Sequence, residues 1–234
     1  MKYEIIGGSF PAANVILDKG ETVVTQAGAM AWSDKDVSME TSADGGFLKS
    51  IGRMFSGGSL MLVRHTANKD DSKITFSSSF PGSIKEFQVD ANHKFIAQKS
   101  AFLVGDEGVK LNPILNKKFM SGLFGGEGFI LQEIEGEGTV LAEIDGSVVE
   151  IDLKPGEQIK INTGHVALFE STVNYDVETV KGLKNIFFSG QGLFITTLTG
   201  PGKVWLQTLT AQDMASKLIP YMPQSTATIN VGSD

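Results

Sequence analysis

A stretch of 25 residues occurs three times without a gap, at Val15–Met39, Phe87–Leu111 and Ile151–Tyr175. Any fold for this chain has to repeat with it. Each copy opens on alternating apolar residues: Val15 and Leu17, Phe87 and Val89, Ile151 and Leu153. A turn follows at Lys19-Gly20-Glu21, Ala91-Asn92-His93 and Pro155-Gly156-Glu157. Next comes a carboxamide, Gln26, Gln98 or Asn162, and two residues later a small residue, Gly28, Ser100 or Gly164. A second alternating set is Met30 and Trp32, Phe102 and Val104, Val166 and Leu168. The copies close on Val37 and Met39, Val109 and Leu111, Val173 and Tyr175.

Period-2 alternation is the signature of half-buried strands, so each copy reads as part of a β-module of four or five short strands. A second element recurs at Gly58–Val63, Gly126–Leu131 and Gly190–Ile195. Each is followed, across a turn (Asn68–Ser72, Gly136-Glu137-Gly138, Gly200-Pro201-Gly202), by a partner at Lys73–Phe76, Thr139–Ala142 and Lys203–Leu206. That chemistry predicts hairpins. Helical spacing is confined to Ala211–Leu218.

The expected fold is all-β: three antiparallel repeats in one pseudo-threefold prism or barrel, related to double-stranded β-helices. Residues 1–222 form a single domain, with repeat cores at 15–39, 87–111 and 151–175 and a frayed polar tail at 223–234. The C-terminal hairpin, 192–209, is expected to complete the first unit and leave no sheet edge open. A module of some 65 residues is marginal alone, and three packed together share a core. The repeated apolar residues are read as that core. The carboxamides are read as ties on backbone groups at a strand bend.

Composition narrows the function. Hydrophobic residues are 41% and charged residues 20% of 234, enough apolar mass for a core. The absence of cysteine excludes disulfides, thiolate metal sites and a cysteine nucleophile. A net charge of −7 argues against a phosphate backbone as the main partner. The opening Met1–Gly7 lacks the apolar run of a secretion signal, and no stretch approaches 18 uninterrupted apolar residues. The expectation is a cytoplasmic protein, with membrane association left open.

Gly8-Ser9-Phe10-Pro11, Leu17-Asp18-Lys19-Gly20-Glu21 and Ala27-Gly28-Ala29-Met30, in that order, resemble the mitochondrial-biogenesis family named for altered inheritance of mitochondria and its bacterial members of unknown function. Arg53-Met54-Phe55-Ser56-Gly57-Gly58 and Gly122-Leu123-Phe124-Gly125-Gly126-Glu127-Gly128 resemble further signatures of that family. The resemblance spans roughly Met1 to Met222. It implies a fold like that of the tryptophan RNA-binding attenuation protein, and no established reaction. With no Arg/Ser-rich presequence, the chain is similar to the bacterial rather than the mitochondrial members.

The segments expected to carry function precede each recurring strand: Phe47–Phe55, Lys117–Phe124 and Lys181–Phe188. They hold six basic residues, Lys49, Arg53, Lys117, Lys118, Lys181 and Lys184, interleaved with Phe55, Phe124 and Phe187. In an acidic chain this local reversal of sign is informative. Under a pseudo-threefold the three segments form one basic–apolar crown. Its aromatics either plug the barrel end while the basic heads reach water, or dock on an anionic membrane surface or a protein partner. Self-association is left open.

Enzymatic readings have less to stand on. The three histidines, His65, His93 and His165, fall at unmatched places in the repeats and form no His-x-His pair. Glu127, Glu133, Glu135, Glu137 and Glu143 are a candidate for weak calcium binding at most. The glycine runs precede strands, whereas phosphate loops open helices. No catalytic residue, cofactor or metal is assigned, and the function expected is a non-enzymatic structural or binding role. The alternative is a small-molecule or metal-binding β-helix protein with an enzymatic activity, and the third is RNA binding, for which the charge-balanced repeat turns are poorly suited.

Overall fold

The computed structural model describes residues 1–41, 62–114, 130–179 and 194–222. Strand β1 (Lys2–Ile6) precedes three units of six strands each. The first comprises β2 (Ala12–Leu17), β3 (Thr22–Gln26), β4 (Met30–Ser33), β5 (Val37–Thr41), β6 (Leu62–Ala67) and β7 (Ser72–Ser77). The second comprises β8 (Gly82–Val89), β9 (Phe95–Gln98), β10 (Phe102–Asp106), β11 (Val109–Ile114), β12 (Leu131–Gly136) and β13 (Gly138–Asp145). The third comprises β14 (Val148–Leu153), β15 (Gln158–Asn162), β16 (Val166–Glu170), β17 (Asn174–Thr179), β18 (Phe194–Thr199) and β19 (Gly202–Gln207). Helix α1 (Ala211–Leu218) follows where the spacing predicts it, its first turn capped by Thr210, whose Oγ1 accepts the Asp213 N–H at 3.0 Å.

All three units pair alike. The first strand of each lies against its last (β2–β7, β8–β13, β14–β19), and the third strand lies on the other side of that last strand (β4–β7, β10–β13, β16–β19). The second and fourth strands flank the fifth (β3 and β5 on β6, β9 and β11 on β12, β15 and β17 on β18). Each unit is therefore split into two half-sheets. Half-sheets of neighbouring units then fuse: β3 pairs with β10, and β9 pairs with β16. The results are two six-stranded sheets, β5-β6-β3-β10-β13-β8 and β11-β12-β9-β16-β19-β14. The remaining half-sheets are separate, as β1-β2-β7-β4 and β15-β18-β17.

Three expectations are corrected by this topology. The predicted barrel does not close: among the described residues all four sheets are open. Among the described residues the C-terminal hairpin does not complete the first unit, because β18 pairs there only with β15 and β17, β19 only with β14 and β16, and the first unit already has β6 and β7. The predicted hairpin turns are corners instead, since β6 and β7, β12 and β13, β18 and β19 fall in different sheets. At the two glycine-rich ones, between β12 and β13 and between β18 and β19, the chain leaves one sheet and enters the next within a residue or two, which demands backbone that glycine adopts easily. Gly136 has φ +105°, and a Cβ there would lie 2.1 Å from the Gly108 carbonyl oxygen.

The apolar side chains cross the unit boundaries as the sheets do. One cluster joins Phe87, Phe95, Phe102, Val109 and Ile144 of the second unit to Val24 of the first and Leu168 and Trp205 of the third. Phe87, Phe95 and Trp205 meet edge to face, their centroids 4.9–5.8 Å apart. A second cluster adds Ile96 and Leu131 of the second unit to the third unit's Phe169, Val173 and Leu198. The last sets Leu103, Val104 and Leu141 of the second unit against Val15, Ile74 and Phe76 of the first. No unit owns its core, which meets the need of a module too small to bury one alone.

Core filling departs from the repeat at β6. His65, 1% exposed, stands where the other units place Ile134 and Leu198. Its Nε2 bonds Thr25 Oγ1 at 3.0 Å, its ring meets Phe76 edge-on at 5.4 Å, and its Nδ1 has no partner. Burial pushes the imidazole pKa down. The folded state therefore resists protonation, and its stability should fall as pH drops below about 6.5, the ordinary histidine value. His65→Leu should remove that loss, gaining about 1 kcal/mol on wild type between pH 7.5 and 5.5 in urea unfolding.

Candidate functional site

The carboxamides define how units are fastened. Gln26 Nε2 donates to the Lys99 carbonyl at 3.0 Å and to Gln132 Oε1 at 3.2 Å, and Gln132 Nε2 also donates to Lys99 O. Gln98 Nε2 donates to the Gly164 carbonyl at 3.2 Å and to that of Val166. Thus the amide ending the second strand of one unit holds the turn of the next. These turns are tight 3-10 segments at Lys99–Ala101 and Thr163–His165, with Ser100 or Gly164 as the small middle residue. Asn162 behaves differently. One methylene shorter, its Oδ1 accepts the N–H of its own Gly164 at 3.4 Å.

Charge reinforces the second boundary. Glu150 on β14 accepts from Lys203 Nζ at 2.8 Å, Lys85 Nζ at 3.0 Å and Trp205 Nε1 at 2.7 Å. These bonds pull its carboxyl down to about 2, the Lys203 contact contributing most. Lys85 comes from β8 of the second unit, so one carboxylate ties two units together. Asp145, at the end of β13, is the opposite case: burial, with Glu143 nearby, pushes its carboxyl up to about 6.

The groups weighed for catalysis or metal binding are dispersed among structural partners. His65 is in the core. His93 sits in the turn after β8, where Asp90 accepts from its Nδ1 at 2.8 Å and holds its pKa up. His165 bonds the Gln207 carbonyl at 2.8 Å and faces Asp213 at 3.6 Å. Glu135 takes Lys94 at 2.6 Å and Asn112 at 2.8 Å, while Glu143 accepts from Ser78 and Ser79. Among the described residues no three His, Asp or Glu side chains are grouped as a metal site.

The residues expected to dock, Lys49, Arg53, Phe55, Lys117, Lys118, Phe124, Lys181, Lys184 and Phe187, lie outside the described residues, as does Glu127. Their anchor points are described. The three segments leave from β5, β11 and β17 and return into β6, β12 and β18, where the flanking pairs are Thr41↔Val63, Ile114↔Leu131 and Thr179↔Phe194. In each unit this is the same hairpin. Of the recurring strands predicted at 58–63, 126–131 and 190–195, Leu62–Val63, Leu131 and Phe194–Ile195 stand in strands, and residues 58–61, 126–129 and 190–193 lie outside the described residues.

One feature of the first unit escapes the repeat pattern. Trp32 and Met39, read as core, are 58% and 52% exposed, whereas Val104 and Leu168, which match Trp32, are 0% and 1% exposed. The signal was weak: alternation marks Trp32 as facing a neighbour without saying whether that neighbour is present.

These features define a repeat-built antiparallel β protein whose units share sheets across their boundaries. The chain belongs to the family described as Mitochondrial biogenesis AIM24, which matches residues 3–209. It is 27% identical over 223 residues to an uncharacterized protein of Streptococcus pyogenes serotype M6, covering 92% of this chain and 88% of that one. A crystal structure of a Streptococcus pyogenes protein is 25% identical with a TM-score of 0.78, covering 94% of this chain and 99% of the other. Among the described residues no helix is long and apolar enough to cross a membrane.

Proposed function

We propose that the chain is a non-enzymatic docking protein, in which three units built alike hold the basic–apolar segments together as one crown against an anionic membrane surface. The observation that carries this reading is the repeated hairpin: each segment is inserted between the same two strands of its unit. Three weak contacts on one scaffold act together, as multivalent binding does. Lysine and arginine beside Phe55, Phe124 and Phe187 suit the boundary between headgroups and acyl chains, where each basic residue near an anionic surface contributes about 1 kcal/mol.

The test is co-sedimentation with phosphatidylglycerol-containing vesicles. Wild type should pellet with them and be released by salt, while a variant carrying Lys49→Glu, Lys117→Glu, Lys118→Glu and Lys184→Glu should stay in the supernatant with an unchanged circular dichroism spectrum. A wild-type chain that ignores anionic vesicles would remove the membrane reading.

A further inference from the structure

Two unit boundaries are built by one rule, and the chain carries the parts of a third. In the first two, the second strand of one unit pairs with the third strand of the next: β3 with β10 and β9 with β16. The repeat leaves over one strand of each kind, β15 of the third unit and β4 of the first. Among the described residues their ladder partners are β18 and β7 alone, so each presents an open edge there.

One matched position on each edge is exposed where its counterparts are buried, although Ile161 on β15 is itself buried. Trp32 on β4 is 58% exposed, against 0% and 1% for Val104 and Leu168. On β15, Lys160 is exposed where Val24 and Ile96 are 2% and 8% exposed. The fastening amide is unused across the boundary too, Asn162 bonding within its own turn. Open edges of this kind are templates for another strand, and natural sheets seldom leave them bare.

We infer that β4 of one chain pairs with β15 of a second copy, repeating between molecules the junction that β3–β10 and β9–β16 make within one. The two internal junctions supply the register. Val104↔Thr25 and Leu168↔Ala97 transfer to Trp32↔Ile161, and Gly105↔Val24 and Phe169↔Ile96 transfer to Ser33↔Lys160. Trp32 then lies opposite a β-branched side chain, a favourable cross-strand pair, and becomes the buried aromatic anchor of the contact. Because each copy carries one edge of each kind, the contact is head to tail. The occupant is a second copy because, with both outer units already fixed to the middle one by six-stranded sheets, β4 and β15 of one chain remain unpaired.

The test is the mass of the full chain by sedimentation equilibrium, over a hundredfold range of concentration, for wild type and Trp32→Lys. Wild type should move from 25.1 kDa to a multiple of it, and the variant should raise the dissociation constant by about tenfold or more. Since Trp32 is an exposed residue, the variant should keep its circular dichroism spectrum and melting temperature. Hydrogen exchange gives an independent readout: amides of residues 30–33 and 158–162 should become protected as wild type associates, and not in the variant. A chain that stays monomeric throughout, or one that associates equally well with lysine at position 32, overturns the inference. So does concentration-independent protection of both edges in a monomer, which would mean that the chain closes on itself.

Discussion

Truncating Phe169 to alanine is expected to cost about 3–5 kcal/mol, the usual penalty for emptying an aromatic site in a core. Phe169 is 1% exposed on β16, the strand that joins the third unit to β9 of the second. Its ring packs in the cluster that contains Ile96 and Leu131 from one unit and Val173 and Leu198 from the other. The loss should therefore not stay in the third unit. Trp205 lies in a different cluster, against Phe87 and Phe95 of the second unit, and with the other tryptophan replaced (Trp32→Phe) it reports on that region by fluorescence. In urea, the Trp205 transition and the far-ultraviolet circular dichroism transition should shift to lower denaturant together. Two separated transitions, with the Trp205 midpoint unmoved, would show that the units unfold as independent bodies.

The second large effect lies in the backbone. Gly136→Val should abolish soluble expression or cost more than about 4 kcal/mol, because two penalties coincide. The residue has φ +105°, which β-branched side chains avoid, and its Cβ would sit 2.1 Å from the Gly108 carbonyl oxygen, a backbone atom that cannot swing away. Gly20→Ala is the matched control. Its φ of +87° carries the conformational penalty alone, with no atom within 4 Å of the new methyl. That variant should fold and lose only about 1 kcal/mol. Equal costs at the two positions would mean that the corner between β12 and β13 is not as tight as described.

The contrast between these glycines also explains how far the sequence could be read. The threefold repeat was visible because the alternation of Val15/Leu17, Phe87/Val89 and Ile151/Leu153 has a period fixed by strand geometry. The strands opening each unit stand where that alternation puts them. Alternation says which face of a strand is buried, however, and not which strand lies beside it. Gly136-Glu137-Gly138 therefore has the chemistry of a hairpin turn, although its strands part into different sheets. The C-terminal hairpin was misplaced for the same reason, since a half-sheet complete within its unit looks identical in sequence to one that lends its strands elsewhere.

The candidate sites divide along a similar line. The carboxamides could be recognised as structural from their place beside a small residue, but the acceptor, a carbonyl in the following unit, is separated from Gln26 by 73 residues. The basic–apolar segments are read from composition alone and lie outside the described residues; the structure describes the strand pairs on either side of them. Trp32 could not be singled out, because its exposure follows from the place of β4 at the end of its sheet among the described residues rather than from any residue near it in the chain.

The sharing of sheets between units is tested most directly by methyl nuclear Overhauser effects across the two internal boundaries. The account predicts cross-peaks between Thr25 and Val104 and between Ala97 and Leu168, whose residues are opposed in the ladders β3–β10 and β9–β16. Absence of both, with contacts instead between β18 and the strands of the first unit, would contradict it.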